Sequence, residues 1–288
     1  MSDTPEWFWD AVDTKPEQGF VEVEDCDINF LKWSEPASST GQGLLFVHGH
    51  NAHAHWWDFI APAYKDQYQT VALDLSGMGD SDHREEYSTD TYAKEIIAVA
   101  DKNEMPGNTI LVAHSFGGLM ALRAAAQNPA RFRGLILLDS GVKHPEDERQ
   151  PEVERWSRPK VYPNLDVARS RFRLQPPQQC ANEYLVQHIA RNSIEHIDEG
   201  FVWKFDEELS SHMKATGDIV QDLQSVRCRI ALIYGQNSAS FSAKSAIHMK
   251  ELQPALEVFE LADAQHHLFL DQPIAFMDQL TSILNLWV

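Results

Sequence analysis

Short apolar runs recur along the chain, separated by longer stretches whose apolar positions return every three or four residues. The runs GLLFV (43–47), TVALDL (70–75), TILVAH (109–114), GLILLD (134–139), RIALIYG (229–235) and LEVFEL (256–261) are rich in leucine and β-branched residues and bounded by turn formers. That is how buried parallel strands read. Residues 20–24 and 28–33 read as an opening pair of strands or a hairpin. Helical periodicity falls between the runs, at roughly 88–104, 116–127, 242–252 and 273–287, and Pro273 suits the first turn of the last helix. The alternation predicts an α/β fold: a mostly parallel eight-stranded sheet flanked by helices.

The rhythm breaks once. Between Asp139 and Arg229 no run reads convincingly as a strand, and helical patterns lie near 164–173, 178–195 and 203–223. A structureless loop of that length is improbable in a compact domain. Residues 141–223 are therefore expected to form an inserted helical cap, with 1–140 and 224–288 making the core.

Charge narrows the partners. The chain of 288 residues carries 43 acidic and 24 basic side chains, a formal net charge of −19. Such a field repels phosphate backbones and anionic lipid, so neither nucleic acid nor a membrane surface is an expected partner. No apolar run is long enough to span a bilayer, and the N-terminus is acidic and polar without a signal core. The three cysteines, Cys26, Cys180 and Cys228, are odd in number and scattered. A cytoplasmic, reducing location is expected.

The strongest chemical signal is Ala113-His114-Ser115-Phe116-Gly117-Gly118, lying between a buried strand and a helix rich in small residues. A sharp strand-to-helix turn lifts a serine oxygen clear of the sheet, and small residues around it let strand and helix approach closely. The helix N-terminus beneath Ser115 favours developing negative charge.

With these residues the chain resembles the α/β-hydrolase family along nearly its whole length. Phe46-Val47-His48-Gly49 looks like the family's HG turn, and Asp74-Leu75-Ser76-Gly77-Met78-Gly79-Asp80-Ser81 like its D-x-x-G-x-G-x-S loop. The stretch His266-His267-Leu268-Phe269-Leu270-Asp271-Gln272-Pro273 is similar to its histidine loop. The resemblance implies Ser115 as nucleophile and His266 as base, with His267 as fallback. It implies an oxyanion hole of main-chain donors from Phe116 and His50, and Trp57 and His114 as substrate-lining residues. The acid departs from the commoner pattern, because Gly235-Gln236-Asn237-Ser238 offers no carboxylate after the seventh strand. Asp139, at the end of the sixth, fills the family's other acid position, and Asn237 is the weaker alternative.

His48, His50, His53 and His55 form a dense cluster that invites a metal reading, yet no carboxylate or cysteine lies among residues 48–55. Neither metal nor cofactor is expected. Trp156, Tyr162, Phe172, Tyr184, Phe201, Trp203 and Phe205 bring aromatic surface to the cap, for a substrate wall or for gluing cap to body. The expected function is serine hydrolysis of a small or medium carboxylic ester or lactone through an acyl-enzyme. A carbon–carbon bond hydrolase, a cofactor-independent lyase or oxygenase, and a slow ligand-sensing protein share the same framework.

Overall fold

The computed structural model describes residues 4–33, 41–147 and 161–287. Its centre is an eight-stranded sheet of β1 (Glu17–Glu22), β2 (Asp27–Lys32), β3 (Gln42–Val47), β4 (Tyr68–Leu73), β5 (Thr109–His114), β6 (Phe132–Leu138), β7 (Arg229–Gly235) and β8 (Glu257–Leu261). In space they run β1-β2-β4-β3-β5-β6-β7-β8. The pairs β1–β2 and β2–β4 are antiparallel, and all the others are parallel.

Each central strand is buried on both faces, and alternate residues go to opposite sides. Leu45, Val47, Leu111, Ala113, Leu135 and Leu137 enter one core. Their neighbours Leu44, Phe46, Ile110, Val112, Ile136 and Leu138 enter the other. The first core is closed by α2 (Thr89–Lys102), α3 (Ser115–Gln127), α7 (Ile219–Ser225) and α8 (Ala243–Leu252). The second is closed by α1 (Glu6–Asp13), α5 (Glu183–Asn192), α9 (Leu268–Asp271) and α10 (Pro273–Leu286).

The core strands and helices fall within a few residues of the ranges that the apolar pattern predicts, with two differences. Helix α1 was not expected: only Phe8 and Val12 of its eight residues are buried, too few to show a period in an acidic stretch. Between β6 and β7, α4 (Leu165–Ser170) and α6 (Leu209–His212) accompany α5 and α7, but the segment also holds a hairpin. Ile194–Ile197 pairs antiparallel with Gly200–Trp203 around a two-residue turn at Asp198 and Glu199. The first of those strands is hidden in sequence by the helical period that precedes it. Trp156 lies outside the described residues. None of the described helices is long and apolar enough to cross a membrane.

Two glycines let the elements meet. A Cβ on Gly134 would fall 2.4 Å from the Trp287 ring, so this β6 glycine makes room for the end of the chain. A Cβ on Gly117 would fall 2.1 Å from the His48 carbonyl oxygen, so the first turn of α3 is pressed against the end of β3. Gly117→Ala should therefore push α3 off the sheet at a cost of about 1–3 kcal/mol. The expected thermal midpoint, read by circular dichroism, is roughly 3–10 °C lower; an unchanged midpoint would mean that this contact relaxes freely.

Candidate active site

The site grows from the ends of neighbouring strands. His114 pairs in register with Leu138 across β5 and β6, and each strand then turns through a non-glycine residue at positive φ: Ser115 at 50° and Asp139 at 47°. Left-handed backbone at such residues persists where the surroundings hold it. Here the Ser140 hydroxyl donates to the Ser115 carbonyl at 2.5 Å, and the Asp139 amide donates to the Ile233 carbonyl at 2.8 Å.

His266 lies between the two residues. Its Nε2 is 2.9 Å from Ser115 Oγ, and its Nδ1 is 2.6 Å from Asp139 Oδ2. With Asp139 as a carboxylate, Nδ1 carries the proton and Nε2 is left to accept from the serine. The carboxylate is fully buried and takes two further donors, the Gly235 amide on Oδ1 at 3.0 Å and the Ser238 hydroxyl on Oδ2 at 2.7 Å. Asn237, the alternative orienting group, is exposed, and its main-chain N–H donates to the Ala264 carbonyl at 2.8 Å.

Phe116 stands in the first turn of α3, where main-chain amides have no acceptor inside the helix. The HG turn comes close to it: a Cβ on Gly49 would fall 3.4 Å from Ser115 Cβ, and the His50 and Phe116 rings meet edge to face at 5.4 Å. The His48 ring fixes this turn. Its Nε2 accepts the Leu75 amide at 3.0 Å, so its Nδ1 donates to the Gly49 carbonyl at 2.7 Å. Burial lowers its pKa, which favours the neutral ring this arrangement requires.

The two expected substrate-lining residues lie elsewhere. Trp57 is fully buried in the core, packed at a tilt between Phe46 at 5.1 Å and Phe269 at 4.9 Å. His114 is buried beside the His266 ring at 4.8 Å, with its Nε2 3.1 Å from the His266 carbonyl. It supports the base from below and stays neutral, burial holding its pKa well under the ordinary value. His267 points into the core beside Trp56 at 5.3 Å, and burial likewise keeps it neutral.

His114, His266 and His267 are the one group among the described residues whose ligand atoms sit close enough to share a metal ion. Both nitrogens of His266 already face Asp139 and Ser115, so a metal there would take the ring from the serine.

The histidine run that sequence reading left unexplained has a different use. His50 Nε2 lies 3.2 Å from the Ser210 hydroxyl of α6, and burial lowers the pKa of His50 to about 4, keeping it neutral. Because the Ser193 hydroxyl donates to the Ile189 carbonyl, His53 Nε2 donates to Ser193 at 2.8 Å. His55 Nδ1 lies 3.0 Å from Asp58 Oδ2, which also receives His188 Nε2 of α5 at 2.7 Å. His50, His53 and the Asp58 that His55 bonds thus hold the segment between β6 and β7 against the body. The far side of that segment is zipped by main-chain bonds, from Gly79 to the Lys204 carbonyl at 2.9 Å and from Asp206 to the Gly77 carbonyl at 2.8 Å. No signal in the sequence alone marks Ser193, Ser210 or His188 as their partners.

Residues 44–279 match the model described as the Alpha/beta hydrolase family, and the chain belongs to that family. It is 24% identical over 259 residues to a pimeloyl-[acyl-carrier protein] methyl ester esterase of Vibrio cholerae, covering 87% of this chain and 96% of that protein. It is 22% identical over 278 residues to a 2-(acetamidomethylene)succinate hydrolase of Mesorhizobium japonicum, covering 90% and 94%. Among solved structures, the thioesterase domain from the curacin biosynthetic pathway superposes with a TM-score of 0.76 at 22% identity, covering 92% of this chain and 99% of that one.

The Asp58 junction gives a pH-dependent clasp. Burial works to lower the pKa of His55, but the hydrogen bond and charge of Asp58 outweigh it and leave it above 6.5. Burial likewise works to raise that of Asp58, but the bonds from His188 and His55 leave it below 3.8. The His55 contribution is therefore full below pH 6.5 and lost as pH rises through its raised value, and that of Asp58 is lost as pH falls through its depressed one. Asp58→Asn should cost about 1–3 kcal/mol at pH 6 and clearly less at pH 9. Thermal melts of parent and variant at both values check this, and an equal loss at the two would contradict it.

Proposed function

We propose that the protein is a serine hydrolase that cleaves a small or medium carboxylic ester or lactone through an acyl-enzyme, with residues 141–223 as a cap over the site. The observation that carries this reading is the continuous line from Ser115 Oγ through His266 to Asp139, with separations of 2.9 and 2.6 Å, on a serine held at positive φ. The methyl ester esterase of Vibrio cholerae, similar along most of this chain, supports an ester substrate.

Ser115 Oγ attacks the acyl carbon as its proton passes to His266 Nε2. The carbonyl oxygen becomes an oxyanion facing the amides of Phe116 and His50. Asp139 remains ionised and stabilises the imidazolium, which then gives its proton to the leaving alkoxide as the carbon–oxygen bond breaks. Water repeats the sequence: His266 takes its proton, and the tetrahedral intermediate expels Ser115, leaving the carboxylic acid.

A carbon–carbon bond hydrolase, a lyase or oxygenase, or a ligand sensor would place different demands on the same residues. Sustained turnover of short acyl esters separates the hydrolase from a sensor, which would stop after about one turnover.

Ser115→Ala should lower kcat by about 10⁴-fold or more with the fold intact, and a phosphonate probe should label Ser115 alone. An adduct found elsewhere by mass spectrometry, or near-full activity in the variant, would refute the assignment.

Asp139→Asn should lower kcat by roughly 10²–10⁴-fold, because an amide favours the wrong tautomer and stabilises imidazolium poorly. Asn237→Ala should cost at most about tenfold, since only loop packing is touched. The reverse ranking in steady-state kinetics would move the orienting group to the turn after β7.

A further inference from the structure

Ser238 occupies the turn after β7, and its hydroxyl is fully committed. Oγ lies 3.1 Å from the Ser240 amide and 3.2 Å from the Phe241 amide, both of which donate to it. A hydroxyl has one proton and two lone pairs. With amides on the lone pairs, the proton has one destination, Asp139 Oδ2 at 2.7 Å. That same oxygen receives His266 Nδ1 at 2.6 Å. The donor on the other oxygen, Gly235 N–H, belongs to the main chain. Ser238 is thus the one side chain besides His266 that donates to this carboxylate among the described residues.

From this convergence we propose that Ser238 is a positioning residue that sets the proton affinity of His266 through Asp139. The proposal rests on the serine-hydrolase reading above. Two donors on one carboxylate oxygen share its negative charge, so each holds it less strongly than it would alone. By drawing density from Oδ2, the Ser238 hydroxyl weakens the pull of Asp139 on the imidazolium. His266 can then return to the neutral, proton-accepting form at lower pH. The two amides on Ser238 Oγ keep the hydroxyl from rotating away, so the 238–241 turn acts on the base without touching it. Few other groups compete for this role. The His114 and His267 rings face His266 at 4.8 and 4.9 Å, and burial keeps both neutral. Among the described residues, the ion pair formed by Asp139 and His266 is with each other alone.

The test compares Ser238→Ala, which deletes the donor, with Ser238→Thr, which keeps it. Two midpoints are read: the pH titration of the low-field Nδ1–H proton resonance of His266 in the resting protein, and the acidic limb of kcat/KM. Both should move upward by about 0.5–1 pH unit in Ser238→Ala, and KM should be little changed. Ser238→Thr should stay with the parent. If Ser238→Ala does not fold, Ser238→Cys keeps the side-chain volume with a weaker donor and should give a smaller upward shift. A folded Ser238→Ala whose midpoints match the parent, or a Ser238→Thr that shifts as the alanine variant does, overturns the proposal. The resonance needs no turnover, so it decides the role of Ser238 even if no ester is hydrolysed. An unchanged resonance in an active esterase removes this inference and leaves the hydrolase reading intact.

Discussion

Much of the molecule follows from one register, the pairing of His114 with Leu138 at the ends of adjacent parallel strands. Because the two strands end level, the next residue of each, Ser115 and Asp139, leaves the sheet at the same height. Both leave through left-handed backbone, which L-residues adopt at a cost of roughly 1–2 kcal/mol. The cost is borne by close packing around them: α3 lies on the His48 carbonyl through Gly117, and Gly118 leaves room for the Ser140 side chain that bonds back to Ser115. A shift of one residue in this pairing would send one of the two side chains to the opposite face.

The segment between β6 and β7 is held differently from the core. It contributes apolar side chains such as Leu185 and Ile189 to the second core, but its orientation is fixed by polar contacts with a short stretch that begins at the HG turn. Those contacts are made by His50, His53 and Asp58, the last of which His55 also bonds. The HG turn and these contacts therefore belong to one piece of chain, residues 48–58.

The sheet was legible because its strands are continuous apolar runs, a pattern set by burial on both faces and independent of the rest of the fold. Ser115 was legible for a local reason too, since small residues flank it between strand and helix. His266 and Asp139 are different: they lie 151 and 24 residues from Ser115, and only resemblance to a family register singled them out. Where a side chain's role depends on what folds over it, residue type misled. Trp57 has the chemistry of a pocket wall, but its surroundings are Phe46 and Phe269. The histidine run looked like a metal site lacking ligands, and two of its partners, Ser193 and Ser210, lie more than a hundred residues away. Ser238 gave no signal because a serine in a turn is ordinary, and its importance comes from the carboxylate that β6 brings beside it.

Asp139 follows the last residue of β6, and Ser140 after it holds the serine turn through its hydroxyl. Gly141 follows at φ 131°, a conformation that side chains rarely adopt, and a Cβ there would strike Met249. The carboxylate, the hydroxyl that braces the serine turn and this glycine are thus three consecutive residues, 139 to 141. A residue inserted or deleted among these three would therefore disturb the carboxylate, the serine turn and the packing on Met249 together.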